Sequence, residues 1–210
     1  LQFTNVNAGK LGIALDLSKA EARDVAIDLV KWADVTCESF TPKAMRNWGL
    51  DYEGLRVHRP DLIMSSSCLM GHYGPHASLA GYGTMAAAVS GWFHITGWAD
   101  RGPAGPYLAY TDYVSPRFTA CVLLAAVEHH RRTGQGQHLD YSQMEAATHF
   151  LAPALVERQL TEHRPSRRGN ADDLMVPHGV YPCLGTDRWI AIAVEGDEQW
   201  RSLAVEMRRD

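Results

Sequence analysis

The chain has 210 residues, of which 46% are hydrophobic and 21% charged, a balance typical of a globular protein with its own core. The formal net charge of -4, without a basic stripe interleaved with aromatic residues, argues against a nucleic-acid partner. Apolar runs are much shorter than the roughly 20 residues that span a bilayer, and no basic segment followed by an apolar stretch opens the chain. The composition therefore predicts a cytoplasmic protein with neither a membrane nor a nucleic-acid partner.

The four cysteines, Cys37, Cys68, Cys121 and Cys183, are widely separated in the sequence. They form no C-x-x-C pair, and no histidine stands at metal-ligand spacing from them. We therefore expect reduced, structural thiols and no metal site. The chain begins without Met and ends at residues 208–210 within a helical pattern, so we expect both ends to be cut.

The N-terminal part of the chain alternates predicted strands and helices. Apolar residues alternate over residues 12–17, which predicts a strand, and a capping box at residues 18–21 predicts the start of a helix that ends near Trp32. Residues 34–38 and 62–67 predict two further strands. This alternation predicts an α/β fold with a Rossmann-like large domain, in which a mainly parallel sheet has helices on its faces and ligands collect at the carboxyl ends of strands.

Between the second and third predicted strands, Thr41 and Pro42 have the residue types of an N-cap and a first helical position. The short helix that they open is predicted to end at Gly49. Residues 68–79 contain Gly and Pro at several positions and predict a loop.

The central part of the chain predicts a helix over residues 86–95 and a Gly- and Pro-rich loop over residues 97–106. Ser115 is the predicted N-cap of a long helix over residues 116–132, with proline at its first position. Apolar side chains at residues 120–127 extend nearly all round that helix, so we expect it to be buried in the core. After a glycine-rich turn, a strand over residues 138–141 and a helix opened by a capping box follow.

The composition shifts after that last helix, which is predicted to end near Leu160. Residues 161–177 are rich in basic residues and predict an exposed linker. Two strands within residues 179–194 predict a hairpin, and a helix begins at Asp197. The predicted organisation is a large α/β domain, a linker and the start of a small α+β domain, over residues 1–160, 161–177 and 178–210.

Asp112 is the candidate catalytic residue. It precedes the long helix, which ends in the pattern R-x-T-G-x-G-Q-x-x-D-Y-S from Arg131 to Ser142. Further segments belong to the same ordered pattern, at residues 7–10, 33–35, 38–40, 49–52 and 178–182. In this order and spacing they resemble the class III CoA-transferase family, which includes formyl-CoA, carnitine and benzylsuccinate CoA-transferases. The resemblance covers almost the whole chain.

The resemblance implies that Asp112 is the nucleophile. A carboxylate can attack the carbonyl carbon of an acyl-CoA thioester, which divides a difficult transfer into easier steps. An aspartyl-CoA thioester would then pass CoA to an acceptor carboxylic acid. CoA and acyl-CoA are thus substrates, no permanently bound cofactor or metal is required, and an interlocked homodimer is implied. Without the resemblance, the sequence favours an exposed loop aspartate or a helix N-terminal carboxylate at Asp112 over a catalytic residue.

The resemblance also implies contacts with CoA. A strand end followed by a helix N-terminus can present backbone N–H groups to a phosphate, although ordinary packing and a solvated helix arginine are the alternatives at these positions. The implied contacts are Leu15, Asp16, Leu17, Ser18, Ser39, Phe40, Thr41 and Arg46.

Two other functions remain open from the sequence. Racemases of the same family pair the aspartate with a histidine in a Gly-His-Asp motif and act on 2-methylacyl-CoA. The matching position here is Tyr82, and a tyrosine hydroxyl is a poor base near neutral pH. His72, His76 and His94 lie nearby in the sequence and offer an alternative base, but an isolated loop histidine is more often incidental. The third function is a CoA-binding or dimerisation module without turnover.

Overall fold

The computed structural model of the chain describes residues 2–207, so the helical pattern expected at residues 208–210 lies outside the described residues. No helix within residues 2–207 has the length and apolar character needed to cross a membrane. In chain order, the elements are α1 (Gln2–Val6), α2 (Ala20–Trp32), β1 (Val35–Glu38), α3 (Pro42–Trp48), α4 (Tyr52–Arg56), β2 (Ile63–Cys68), α5 (Gly83–Val89), α6 (Trp92–Ile95), α7 (Tyr110–Thr133), β3 (Gln137–Ser142), α8 (Gln143–His149), α9 (Ala152–Leu160), β4 (His178–Pro182), β5 (Trp189–Ala193) and α10 (Asp197–Glu206).

The structure has a mixed α/β architecture, and its main sheet is parallel with the strand order β1-β2-β3. Glu38 at the end of β1 pairs with Ser66 of β2, which in turn pairs with Asp140 of β3. The carboxyl ends of the three strands therefore meet at one edge of the sheet. This arrangement confirms the predicted parallel sheet, and it brings together side chains that are far apart in sequence.

The hydrophobic core lies where β2 packs against the helices that precede it. Leu62, just before β2, and Met64 within it are fully buried, and they pack against apolar residues from α2 to α4. The remaining buried members of this cluster are Val30, Met45, Leu50 and Leu55. The helix α7, which comes later in the chain, packs against α5, α8 and the sheet. The sheet thus lies between two groups of helices, as expected for an α/β fold.

Several local predictions are confirmed. Thr41 caps α3 by accepting a hydrogen bond from the N–H of Ala44 at 3.4 Å, and Pro42 begins that helix. Gly49 ends α3 in the left-handed conformation, with φ of 69°. Ser142 caps α8 by accepting from the N–H of Glu145 at 3.2 Å. Each of these motifs depends on residues within one helical turn, so the local sequence specifies it.

The strand predicted over residues 12–17 is wrong. Within the described part of the chain this segment pairs with no strand, and Lys10 to Ile13 instead line a groove of about 920 Å³ beside β1. The capping box is also wrong, because Lys19 is the N-cap of α2 while the Ser18 hydroxyl donates to Asp16 at 2.6 Å. Alternating apolar residues form a strand only where a neighbouring strand supplies hydrogen bonds, which the sequence does not show.

The prediction for the long helix is wrong at its start and in its burial. The helix α7 begins at Tyr110 rather than Pro116, and Ser115 is buried inside it instead of capping it. The side chain of Leu124 is 71% exposed and that of Val122 is also exposed, so the helix is not enclosed by this chain. Within the described residues, α7 packs mainly against α5, α8 and the sheet.

Two predicted helices are each divided into two. The helix expected over residues 86–95 is α5 followed by α6, because Gly91 between them has φ of 105°. The helix expected after the strand β3 is α8 followed by α9, and α9 has Pro153 in its first turn. A left-handed residue or a proline interrupts the helical hydrogen-bond series, so each marks a break rather than an interior position.

The strands and the helix predicted for the C-terminal part of the chain are confirmed. The strands β4 and β5 form an antiparallel hairpin, and α10 begins at Asp197 as predicted. Residues 161–177 contain neither helix nor strand, although the N–H of Gly169 donates to the carbonyl of Gly97 at 2.7 Å. The division into a large domain, a linker and the start of a small domain stays a prediction. All four cysteines are free, as expected.

Candidate active site

Asp112 is exposed in the first turn of α7. Its carboxylate Oδ2 accepts a hydrogen bond from the backbone N–H of Gly83, the first residue of α5, at 3.4 Å. Its own N–H donates to the carbonyl of Ala109 at 2.9 Å. The start of one helix thus contacts a carboxylate in the start of another, and the positive end of each helix dipole favours negative charge there.

Gly83 allows this contact because it has no side chain. A Cβ atom at position 83 would lie 2.7 Å from Cγ of Asp112 and 2.9 Å from the carbonyl oxygen of Ala109. Non-bonded carbon atoms normally approach to about 3.5 Å, so a Cβ would displace the carboxylate or the start of α7. The position of the Asp112 side chain therefore depends on glycine at position 83.

Thr111 stabilises the contact between the starts of α5 and α7, which we call the junction, from within the protein. It is fully buried, and its hydroxyl lies 3.2 Å from the carbonyl oxygen of Gly83 and 3.0 Å from the side-chain amide of Gln143. These contacts join the first residues of α5, α7 and α8. The sequence analysis missed both Thr111 and Gln143, because only the fold brings their side chains together.

Pro116 affects the backbone of the candidate nucleophile. It lies inside α7, four residues after Asp112, where a helical residue would donate its N–H to the Asp112 carbonyl. Proline has no N–H to donate, and its ring crowds the carbonyl of the residue four positions earlier. The first turn of α7 is therefore held by Thr111 and Gly83 rather than by a complete set of helical hydrogen bonds.

A cavity of about 510 Å³ lies beside the junction. Three of the predicted CoA contacts, Ser39, Phe40 and Thr41, line it. Tyr82 lines it as well, and Tyr82 directly precedes the glycine that contacts Asp112. The fold therefore brings the segment from the end of β1 into one cavity with the residues that begin α5.

The other predicted CoA contacts do not line this cavity. Leu15 and Leu17 are half-buried, and Leu17 packs against the hydrophobic core. Asp16 and Ser18 are exposed, and the hydrogen bonds from the Ser18 hydroxyl and N–H lower the pKa of Asp16. Arg46 is exposed on α3.

The family model described as "CoA-transferase family III" matches residues 1–210 of the chain. The chain belongs to CoA-transferase family III. The resemblance inferred from the sequence motifs is thereby confirmed.

Named relatives agree with this family. The chain is 34% identical over 197 residues to a succinate–glutarate CoA-transferase of Agrobacterium fabrum, covering 94% of this chain and 49% of the relative. It is 34% identical over 206 residues to an acetyl-CoA:oxalate CoA-transferase of Acetobacter aceti, covering 97% of this chain and 52% of the relative. The chain spans about half the length of these relatives.

A solved structure of a CAIB/BAIF family protein from Brucella suis has the same fold. It superposes with a TM-score of 0.89 at 31% identity, covering 96% of this chain and 53% of that one. The parallel sheet and its surrounding helices are thus the arrangement found in the solved protein.

In this family III chain, the histidines considered as a racemase base have other surroundings. His72 contacts Glu38 and Asp140 at the edge of the sheet. His94 lines a different cavity with Ser90, and His76 is exposed. Tyr82, at the racemase histidine position, is 81% exposed.

The edge of the sheet holds residues that the sequence analysis missed. Cys68, His72 and Asp140 each offer a metal-ligand atom, and these atoms lie within 4.8 Å of one another. Burial raises the pKa of the Cys68 thiol, and the nearby charge of Asp140 raises it further. Cys68 and His72 are four residues apart and are the only local signal, since Asp140 comes from a different strand.

Proposed function

We propose that the full-length protein transfers CoA from an acyl-CoA to a carboxylic acid, with Asp112 as the nucleophile. Its family membership supports the reaction class. The observation on which the choice of residue rests is the contact between the Asp112 carboxylate and the N–H of Gly83, beside a cavity that the Ser39 to Thr41 segment lines. Since the relatives are named for succinate, glutarate and oxalate, we propose a short carboxylic acid as acceptor.

The proposed reaction has four steps, each a nucleophilic attack on a carbonyl carbon. A carboxylate oxygen of Asp112 attacks the thioester carbonyl carbon, and CoA leaves as the thiolate, which gives a mixed anhydride. The thiolate attacks the Asp112 carbonyl carbon of the anhydride, releasing the donor carboxylate and forming an aspartyl-CoA thioester. The acceptor carboxylate then attacks this thioester and expels the thiolate again. The thiolate finally attacks the acceptor carbonyl carbon, which yields the new acyl-CoA and frees Asp112.

The backbone at the junction suits this chemistry. Negative charge develops on the carbonyl oxygen at each attack, and backbone N–H groups at a helix start stabilise such charge without reorganising. The N–H of Gly83 already points at the Asp112 carboxylate at 3.4 Å. We propose that it, with its neighbours in the first turn of α5, stabilises the oxyanion formed on the aspartyl carbonyl.

For CoA itself, we propose that Ser39, Phe40 and Thr41 form one wall of its site, since they line a cavity that Tyr82, the residue before Gly83, also lines. Glu38 supports this wall, because its Oε2 accepts a hydrogen bond from the N–H of Phe40 at 2.7 Å. The remaining predicted contacts, namely Leu15, Asp16, Leu17, Ser18 and Arg46, stay proposals that no contact with the cavity supports.

We also propose that the full-length protein is a homodimer, with α7 at the contact between subunits. The exposed apolar side chains of Val122 and Leu124 support this, because a helix with uncovered apolar residues gains free energy when a second surface removes them from water. The interlocked form of that dimer is implied by the resemblance alone.

Trapping the covalent intermediate tests the proposal. Full-length protein is incubated with succinyl-CoA or acetyl-CoA, treated with hydroxylamine or borohydride, and digested for mass spectrometry. We expect the adduct on the peptide that contains Asp112. Asp112→Asn should abolish labelling and lower the transfer rate to oxalate or glutarate by about 10⁴-fold, as removal of a nucleophile commonly does. Asp28→Asn, which removes an exposed carboxylate on α2, is the matched control and should keep both.

The same experiment separates the alternatives. Labelling that is absent from Asp112 in an active wild-type enzyme contradicts the transferase mechanism. Exchange of the α-hydrogen of a 2-methylacyl-CoA with deuterated solvent, lost in Asp112→Asn, identifies a racemase instead. Binding of CoA with neither labelling nor exchange identifies a module without turnover.

A further inference from the structure

A cluster of metal-ligand side chains lies at the carboxyl edge of the parallel sheet. Glu38 ends β1, Cys68 ends β2, and Asp140 lies in β3 opposite Ser66 of β2. His72 follows β2 by four residues. Three adjacent strands thus contribute to one small region, which is the usual place for a ligand in a parallel sheet.

The backbone fixes the positions of these side chains. The N–H of His72 donates to both carboxylate oxygens of Asp140, at 2.9 and 3.0 Å. Gly71 turns the chain there with φ of 83°, a conformation that favours glycine. A carboxylate oxygen has more than one lone pair, so Asp140 can accept these bonds and still bind a cation.

Glu38 supplies an independent indication of a ligand. Its side chain is only 5% exposed, and its Oε1 has no hydrogen-bond partner, although Oε2 is bonded to the N–H of Phe40. Nε2 of His72 lies 3.3 Å from Oε1, which is ion-pair distance when the imidazole is protonated, but neither atom makes a complete hydrogen bond. Incompletely satisfied buried polar atoms cost free energy, so this position is suited to a cation that both atoms can approach.

The ligand atoms of Cys68, His72 and Asp140 lie close to the separations of a metal centre. Zinc lies about 2.0–2.2 Å from nitrogen and oxygen ligands, so two ligands of a tetrahedral site are roughly 3.3 Å apart. The three ligand atoms lie within 4.8 Å of one another, so small side-chain movements would bring them to that separation.

We propose that Cys68, His72 and Asp140 bind one zinc-class divalent ion, with the Glu38 carboxylate beside His72. A thiolate and an imidazole select a borderline ion such as Zn²⁺ or Co²⁺, whereas Mg²⁺ and Ca²⁺ prefer oxygen ligands alone. Binding forms the metal–sulfur bond as the Cys68 thiol releases its proton to solvent, so one proton appears for each ion bound.

The bound ion has a structural role that is separate from CoA transfer. It joins the ends of β2 and β3, and it fixes His72, which contacts Glu38, whose Oε2 accepts a hydrogen bond from the N–H of Phe40. Since Phe40 and Cys68 both line the cavity beside the junction, the ion would stiffen one wall of that cavity. Binding of the ion does not require that the transfer reaction take place, so either proposal can fail alone.

Cobalt titration of the full-length protein tests this site. Chelator-treated protein is titrated with Co²⁺, and absorption from thiolate-to-cobalt charge transfer is followed. We expect one Co²⁺ per chain, displaced by one Zn²⁺, and loss of the charge-transfer absorption in Cys68→Ser. Cys183→Ser, which changes an exposed cysteine after β4, is the matched control and should keep it.

A second variant keeps the thiol intact. His72→Gln should weaken Co²⁺ affinity by about 100-fold, the upper end of what changes around a metal site cost, while circular dichroism shows an unchanged fold. The proposal is overturned if wild-type protein shows no charge-transfer absorption, or if Cys68→Ser retains it. An unchanged affinity in folded His72→Gln overturns it equally.

Discussion

The hydroxyl of Thr111 is the most informative group to remove. It is fully buried, lying 3.2 Å from the Gly83 carbonyl oxygen and 3.0 Å from the Gln143 amide. A hydroxyl has one hydrogen, so its donation is shared between two acceptors, the Gly83 carbonyl oxygen and Oε1 of Gln143. Thr111→Val keeps the branched shape and most of the volume, and it removes the donor on which both acceptors depend.

The expected cost follows from those two bonds. Each neutral hydrogen bond contributes about 1 kcal/mol, and the partners left unsatisfied in the interior add to the loss. We expect Thr111→Val to lower the free energy of unfolding by about 2–3 kcal/mol. Since Thr111 adjoins Asp112 and its partner Gly83 contacts the carboxylate, we also expect kcat to fall about tenfold, less than the 100-fold that a 1 Å misplacement costs.

Urea unfolding followed by tryptophan fluorescence measures the stability, and steady-state CoA transfer measures kcat, both in the full-length protein. Thr119→Val is the matched control, because its hydroxyl bonds only to the Ser115 carbonyl within α7, at 3.1 Å. A double-mutant cycle of Thr111→Val with Gln143→Met should give a coupling of about 1 kcal/mol. Equal losses in Thr111→Val and Thr119→Val, or zero coupling, would refute the reasoning.

Three further predictions concern other positions. Gly83→Ala should lower the transfer rate by about 100-fold, because its Cβ displaces Asp112. Gly54→Ala is the control: its Cβ would lie 2.7 Å from a backbone oxygen in another part of the chain, so it should reduce urea stability and leave the transfer rate unchanged. Equal transfer rates in the two variants would contradict this prediction. Burial raises the pKa of Tyr141 to about 12, so the folded state keeps a proton that the unfolded state loses above about pH 10. Stability should therefore fall between pH 10 and 12, and urea midpoints in Tyr141→Phe should fall less over that window. Ser142→Ala should cost about 1 kcal/mol of urea stability through loss of the α8 cap, and no change would argue against that cap.

Features encoded within one turn of chain were predictable. The cap at Thr41, the proline that follows it and the glycine end of α3 all agree with the structure. The start of α7 could not be predicted in this way. Ser115 and Pro116 have the residue types of a helix start, but the helix begins earlier, at Tyr110. Buried contacts of Thr111 with two other helices stabilise those extra turns, and a local pattern does not include them.

The burial of α7 shows the same limit. Its apolar residues predict a helix enclosed by other elements, yet Leu124 is 71% exposed in this chain. Apolar residues in a sequence show which side chains favour removal from water. They do not show which surface covers those side chains, because that surface can belong to another part of the protein or to another subunit.

The amino-acid sequence by itself determined the family and the candidate nucleophile, because ordered motifs around Asp112 can be compared residue by residue. It also determined the parallel α/β class, through the alternation of strands and helices. Only the tertiary structure decided that Gly83 and Thr111 meet at Asp112, and that His72 approaches Glu38 at the sheet edge. These contacts join residues 28 or more positions apart, and strand register and helix packing set their distances rather than any local spacing.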